Sequence, residues 1–284
     1  MVTIGHVTHD ILDDRGTVSR FIGGAAFFSS FAAKRSGARL LVVTKLAEKD
    51  FGLLAEMKDE GIEVIALPSA HTTCIENIFQ SEDVDRRKVN LITQADPFRL
   101  EEIPEVATKI YYLAGLFYGD IPPEIIEPLA RKAAVGLDLQ CMLRSSVHGS
   151  FTWMDWPEKR EILPHLTYLK ADSLESRIIT GTENRREAAT MLHDWGAREV
   201  LLTHSSEAIL YDGKAVYSAP FDPSNLSGRT GRGDTCFASY MTRRLTHGIE
   251  ESLRYAAALT SIKMERPGPF RGTIGEVLER MRNR

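Results

Sequence analysis

Short apolar runs rich in β-branched residues recur along the chain: LLVVTK (40–45), EVIAL (63–67), KIYYLAG (109–115), AAVGLDL (133–139), LTYLKA (166–171) and EVLLTH (199–204). They are too continuous to leave one face in water, which is the pattern of strands buried on both faces of a parallel sheet. The segments between them have helical spacing. FFSSFAAKRSG, LLAEMKDEG and REAATMLHDWG end on Gly37, Gly61 and Gly196, where helix C-terminal caps are expected. Strand, helix, glycine, strand is the βαβ rhythm. It predicts a single α/β domain over residues 1–284, a doubly wound, mostly parallel sheet with helices on both faces.

Two stretches interrupt that rhythm. HVTHDILDDRGTVSRF (6–21) carries Asp-Asp-Arg-Gly between apolar segments and reads as a hairpin. TTCIENIFQSEDVDRRKVNLI (72–92) alternates apolar and polar residues around the charged turn SEDVDRRK. Both predict antiparallel strands outside the main sheet, inserted at about 6–22 and 72–93, as a small β-sheet lid. FTWMDWPEKREILP (151–164) predicts a loop and a short helix, with Trp153 and Trp156 covering the loop.

Composition narrows the function. Hydrophobic residues make up 43% and charged residues 26%, an ordinary globular balance. The formal net charge of -4, with no long block of one sign, argues against nucleic acid as the main partner. Three cysteines, Cys74, Cys141 and Cys236, lie far apart without a C-x-x-C pair, so neither a disulfide framework nor a structural zinc site is expected. The eight histidines show no metal-ligand spacing. No apolar run approaches the roughly 18 residues of a membrane span, and MVTIGHVTHD lacks the pattern of a signal peptide; a cytoplasmic protein is expected.

The candidate chemistry centres on GRTGRGDT (228–235). Gly228, Gly233 and Thr235 fall on the fixed positions of a P-loop, but Asp234 replaces its lysine. Phe237, Ala238, Tyr240, Met241 and Leu245 then follow helical spacing, so Gly231, Arg232 and Gly233 sit at a helix N-terminus. Unpaired N–H groups and the helix dipole can hold an anion there without a lysine. Asp234 is either a helix-capping residue or a general base beside an anion-stabilising loop. Phe27, Phe28 and Phe31 sit at helical spacing and are expected in the core.

GRTGRGDTCFASYM resembles the C-terminal signature of the ribokinase-like (pfkB) carbohydrate kinases, D-T-x-G-A-G-D followed by a helix. Gly231, Gly233 and Asp234 match it, with Arg232 in place of alanine. GGAAFFSSFAAKRSG (23–37) resembles that family's first signature, and KDFG (49–52) matches the aspartate and glycine that follow. KADSLE (170–175) stands in the place of the N-x-x-E element, with Asp172 for asparagine and Glu175 retained. VGLDLQCMLR (135–144) resembles the strand after the family's mid-chain helix. These elements occur in the family's order over nearly the whole chain.

The resemblance implies a ribokinase-like fold and ATP-dependent transfer of the γ-phosphoryl group to a hydroxyl of a small sugar, cyclitol or related polyol. It also implies Mg2+ and leaves open a monovalent cation such as K+. Asp234 would be the catalytic base, with Gly231, Arg232 and Gly233 as the anion hole. Asp10, Gly23 and Gly24 would hold acceptor hydroxyls, and Glu175 would organise the metal through water. Thr203, Ser205 and Asp172 would face the nucleotide. Asp138, Gln140 and Arg144, with KADSLE, resemble an inositol-kinase-like branch more closely than ribokinase itself, which adds Gln140 and Arg144 to the acceptor site.

This chain departs from the family pattern in several places. Gly228-Arg229 replaces the opening Asp-Thr, and Phe28 replaces an asparagine, a change expected to reshape the sugar pocket. Ser205 and Ala208 replace glycines of the nucleotide strand, while Thr203 is kept. Arg232 could reach a phosphate oxygen or lie on the surface. The alternatives are a nucleoside kinase on the same fold and a catalytically weak sugar- or nucleotide-binding relative. Edge strands of the lid suggest a homodimer.

Overall fold

Successive side chains on the central strands point to opposite faces of the sheet, and both faces are covered. Ile110 and Tyr112 enter one hydrophobic core while Tyr111 and Leu113 enter another. A strand placed this way must be apolar at every position, which is the pattern in the sequence. The first core is closed by the helices Ala25–Arg35, Arg232–Arg244 and Ile249–Met264. The second is closed by helices that include Ile126–Ala130 and Arg185–Asp194. The computed structural model describes residues 1–79 and 87–283.

Among the described residues the main sheet has nine strands. Their spatial order is Val216–Pro220, Glu207–Tyr211, Glu199–Thr203, Tyr168–Asp172, Ala134–Asp138, Ile110–Leu113, Val2–Ile4, Leu41–Leu46 and Glu63–Pro68. From Glu199–Thr203 to Glu63–Pro68 every pairing is parallel, and the remaining two strands join antiparallel at one edge. No described helix is long and apolar enough to cross a membrane.

Among the described residues a second sheet of six strands forms the lid: Arg144–Val147, Ser150–Trp153, Arg87–Thr93, Cys74–Phe79, Thr8–Asp14 and Thr17–Gly23, in that spatial order. Most of the charged turn expected between Cys74–Phe79 and Arg87–Thr93 lies outside the described residues. The hairpin Arg144–Trp153 corrects the loop expected at the start of 151–164. Its register pairs Arg144 with Trp153, and Ser150 pairs with Asn90 to join it to the lid. The strand was hidden because each arm has only four residues and little alternation. The expected short helix lies further on, at Lys159–Ile162.

The two tryptophans also separate. Trp153 lies in the lid, whereas Trp156 is fully buried in the second core instead of covering a loop. Replacing Trp156 by alanine should therefore cost about 3–5 kcal/mol, the range for emptying a large aromatic site. Urea unfolding should show it as a lower midpoint at unchanged slope; a loss under about 1 kcal/mol would contradict the core placement.

Candidate active site

Asp138, Asp172 and Thr203 end three neighbouring parallel strands, and the three pair in register along the sheet: Asp138 with Lys170, and Asp172 with Thr203. In an open α/β sheet the carboxyl ends of the strands are where ligands bind. The helix Arg232–Arg244 begins beside them. Its N-cap, Gly231, adopts φ 78° and ψ 15°, a left-handed conformation that glycine takes without strain. No side chain caps this helix, so the first-turn N–H groups of Gly233 and Asp234 are available to an anion.

Two close approaches shape the loop before the helix. A Cβ on Gly231 would meet the Phe28 ring at 2.2 Å, and one on Gly228 would meet the Arg266 carbonyl oxygen at 1.8 Å. Gly228 therefore has no room for the aspartate of the family pattern. Its N–H donates to the Met264 carbonyl at 2.8 Å, which ties the loop to the end of the helix Ile249–Met264. Phe28, from the helix Ala25–Arg35, is buried beneath the anion loop. Its ring lies directly against Gly231.

Beside this loop lies a dense cluster of charge. Lys170 Nζ donates to Asp138 Oδ1 at 3.1 Å and lies 3.5 Å from Glu175 Oε2; Arg144 Nη2 donates to Glu175 Oε1 at 3.0 Å. Lys170 also reaches the anion loop, since a Cβ on Gly233 would meet its Nζ at 3.0 Å. Asp138 and Glu175 are fully buried. Burial works against the Lys170 charge, but Asp138 and Glu175 outweigh it and hold the amine well above its usual range. Glu175 is pulled below its ordinary value despite burial, by Lys170 and then Arg144.

Two cations do not balance this cluster, because Asp172 and Asp234 also lie within electrostatic reach of Lys170. The excess falls on the carboxyls with the poorest partners. Burial pushes Asp138 up to about 7, opposed by Lys170, and its Oδ2 has no hydrogen-bond partner. Burial likewise pushes Asp234 above its ordinary value, against the pull of Lys170, Arg144 and Lys263. A carboxylate raised in this way holds a proton more readily than one in water, as a general base must.

The residues expected to hold the acceptor lie at the root of the lid. Asp10 is buried, accepts from the Ile75 N–H at 3.3 Å, and rests on Gly23, whose Cβ would meet Asp10 Oδ2 at 2.4 Å. Gly24 starts the helix that carries Phe28. Arg144 opens the lid hairpin, its guanidinium 5.8 Å from the Trp153 ring centroid. Gln140 is buried, and its amide donates to the Gly115 carbonyl at 3.2 Å.

Other expected residues have structural partners. Asp172 caps the helix Ser173–Thr180, accepting from the Leu174 and Glu175 N–H groups, and Glu175 Oε2 accepts from the Asp172 N–H at 2.8 Å. Both Glu175 oxygens thus have protein partners: Arg144, Lys170 and this backbone donor. Among the described residues no group of three His, Cys, Asp or Glu side chains is arranged to hold a metal. Thr203 is buried, whereas Ser205 lies in an exposed turn against His204. Arg232 opens the helix with its guanidinium 6.0 Å from the Phe221 ring centroid.

The sequence matches the pfkB family carbohydrate kinase pattern over residues 2–273. The chain belongs to this family. A pyrophosphate-dependent kinase in the ribokinase family, solved with a pyrophosphate analogue and myo-inositol, shares 33% identity at a TM-score of 0.91, over 98% of this chain and 100% of that one. A sulfate complex of a pyrophosphate-dependent kinase in the ribokinase family gives 35% identity and a TM-score of 0.92, over 98% and 99%. The cytidine kinase of Thermococcus kodakarensis is 27% identical over 277 residues, 89% of this chain and 92% of the relative. The kinase is a phosphotransferase with a hydroxyl acceptor.

Sequence reasoning passed over Lys170 and Lys263. Each had a signal, a lone lysine within an apolar strand or on the buried side of an apolar helix. Asp10 offers a direct test of the electrostatics. Burial raises it from 3.8 to about 6. The folded state therefore binds more protons than the unfolded state between those values, and stability contributed by this group falls as pH rises through that window. Asp10→Asn should raise the melting temperature at pH 7, by about 1–3 kcal/mol of stability, and should narrow its advantage as pH falls towards 4. Equal destabilisation at both pH values would contradict the assignment.

Proposed function

We propose that the kinase transfers a phosphoryl group from pyrophosphate to a ring hydroxyl of a cyclitol or related polyol, with Asp234 as general base. The observation that carries the reading is Asp234 in the first turn of an uncapped helix, beside the left-handed Gly231 and within reach of Lys170 and Arg144. The acceptor hydroxyl gives its proton to the Asp234 carboxylate as its oxygen attacks phosphorus. The bond from phosphorus to the bridging oxygen breaks, and phosphate leaves. The N–H groups of Gly233 and Asp234 meet the charge on the transferring group, aided by Lys170 and Arg144.

Pyrophosphate is favoured over ATP for two reasons. The solved relatives at 33% and 35% identity are pyrophosphate-dependent. The strand that should face a nucleotide ends in the exposed turn of Ser205, while Lys170 and Arg144 stand at the phosphoryl end, each already paired with a carboxylate. Mg2+ fits as an ion carried by the donor's phosphates and drawn by the carboxylate excess and the orphaned Asp138 Oδ2; when bound it neutralises phosphate charge. Asp10 suits a hydroxyl-rich acceptor. The cytidine kinase relative keeps a nucleoside acceptor as the second reading.

Pairing each donor, pyrophosphate and ATP, with myo-inositol, ribose, fructose and cytidine should give the fastest turnover with pyrophosphate and myo-inositol. Turnover of cytidine with ATP alone would overturn both choices. Asp234→Asn should lower kcat by about 10²–10⁴-fold and leave donor binding intact, the effect of losing a general base. A variant within threefold of the parent would remove Asp234 from that role.

A further inference from the structure

Lys263 lies in the last turn of the helix Ile249–Met264, and only 2% of it reaches solvent. Its ammonium donates to the carbonyl oxygens of Gly228 and Thr230, the two residues that flank Arg229 in the anion loop. It also lies 5.2 Å from the centroid of the Phe28 ring, the same ring that supports Gly231. No carboxylate within ion-pairing distance neutralises it among the described residues, and Asp234 is the charge it feels. A buried ammonium held by carbonyls and a ring, with no direct counter-ion, is unfavourable for folding alone.

We propose that Lys263 is a positioning residue for phosphoryl transfer: its ammonium is an internal cation that gathers the carbonyls of the 228–230 loop, so that the N–H groups beyond Gly231 face the transferring group. Those carbonyls turned inward leave the N–H groups of the following helix turn pointing out. The loop cannot relax elsewhere, because Gly228 is bonded to Met264 and Ser227 Oγ donates to the Glu265 carbonyl at 2.8 Å. Two carbonyls and an aromatic face also form a favourable environment for a cation of ammonium or potassium size. With Lys263 in that position, the reaction needs no monovalent cation from solution. Burial holds the amine down at about 8, against the pull of Asp234, so near neutral pH it is charged.

The inference rests on the assignment of residues 231–234 as the anion hole, and the experiment separates it from the choice of donor and acceptor. Wild-type turnover should agree within about twofold in sodium, potassium and tetramethylammonium salts. Lys263→Met should lower kcat by about 10²-fold, the loss seen when an oxyanion donor is removed, with acceptor KM changed less than about threefold. Lys263→Ala should recover at least about tenfold with added ammonium or methylamine, whereas Lys263→Met should not, because its side chain fills the space. Rescue is a readout that a purely structural role would not give.

A potassium requirement in the wild type, or kcat within twofold of it in Lys263→Met, would overturn the proposal. If both variants fail to fold, the wild-type salt series decides. If wild type shows no turnover with either donor, the donor and acceptor reading fails by itself. Lys263 is then judged by the thermal shift that pyrophosphate produces: its loss in Lys263→Met supports the role and its retention contradicts it.

Discussion

The constraint on which the site depends is a shortage of positive charge. Asp138, Asp172, Glu175 and Asp234 converge at the strand ends, and Lys170 and Arg144 are the cations among them. Both bond to the cluster directly, Lys170 to Asp138 and Arg144 to Glu175. Removing water from a carboxylate is unfavourable unless a partner compensates, so the carboxyls left short of partners rise in pKa. Glu175, with two cations and a backbone donor, stays ionised and holds the cations in place. Asp234, left with more distant help, is pushed above its ordinary value by burial, which suits the proposed role of general base. One shared charge balance thus sets two different roles for chemically similar residues.

The anion loop is shaped by contact more than by charge. Gly228 is pressed against the Arg266 carbonyl, Gly231 against Phe28, and Gly233 against Lys170. Each of these neighbours comes from a different part of the chain: the segment after the helix Ile249–Met264, the helix Ala25–Arg35, and the strand Tyr168–Asp172. The loop therefore reports on the packing of three elements at once.

Much of this was legible in the sequence. The continuous apolar runs specify strands buried on both faces, and the order of the short motifs specifies the family. Both signals are local in the chain. What stayed hidden depends on contacts between distant segments. The Arg144–Trp153 hairpin is too short to alternate clearly, and becomes a lid strand only through its pairing with Asn90. Glu175 matches a metal-associated motif, yet its oxygens are claimed by Arg144 and Lys170, which no spacing rule foretells. Lys170 and Lys263 stand out as lone charges in apolar segments, but only the fold shows that both aim at one loop.

The most direct test is a crystal structure with a non-hydrolysable pyrophosphate analogue and myo-inositol bound together. The account predicts one phosphoryl group of the analogue against the N–H groups of Gly233 and Asp234, with Lys170 and Arg144 beside it. It also predicts one inositol hydroxyl within about 2.6–3.2 Å of the Asp234 carboxylate, the reach needed for proton transfer. An analogue bound away from the start of the helix Arg232–Arg244, or an acceptor whose hydroxyls all lie beyond hydrogen-bonding reach of Asp234, would contradict it.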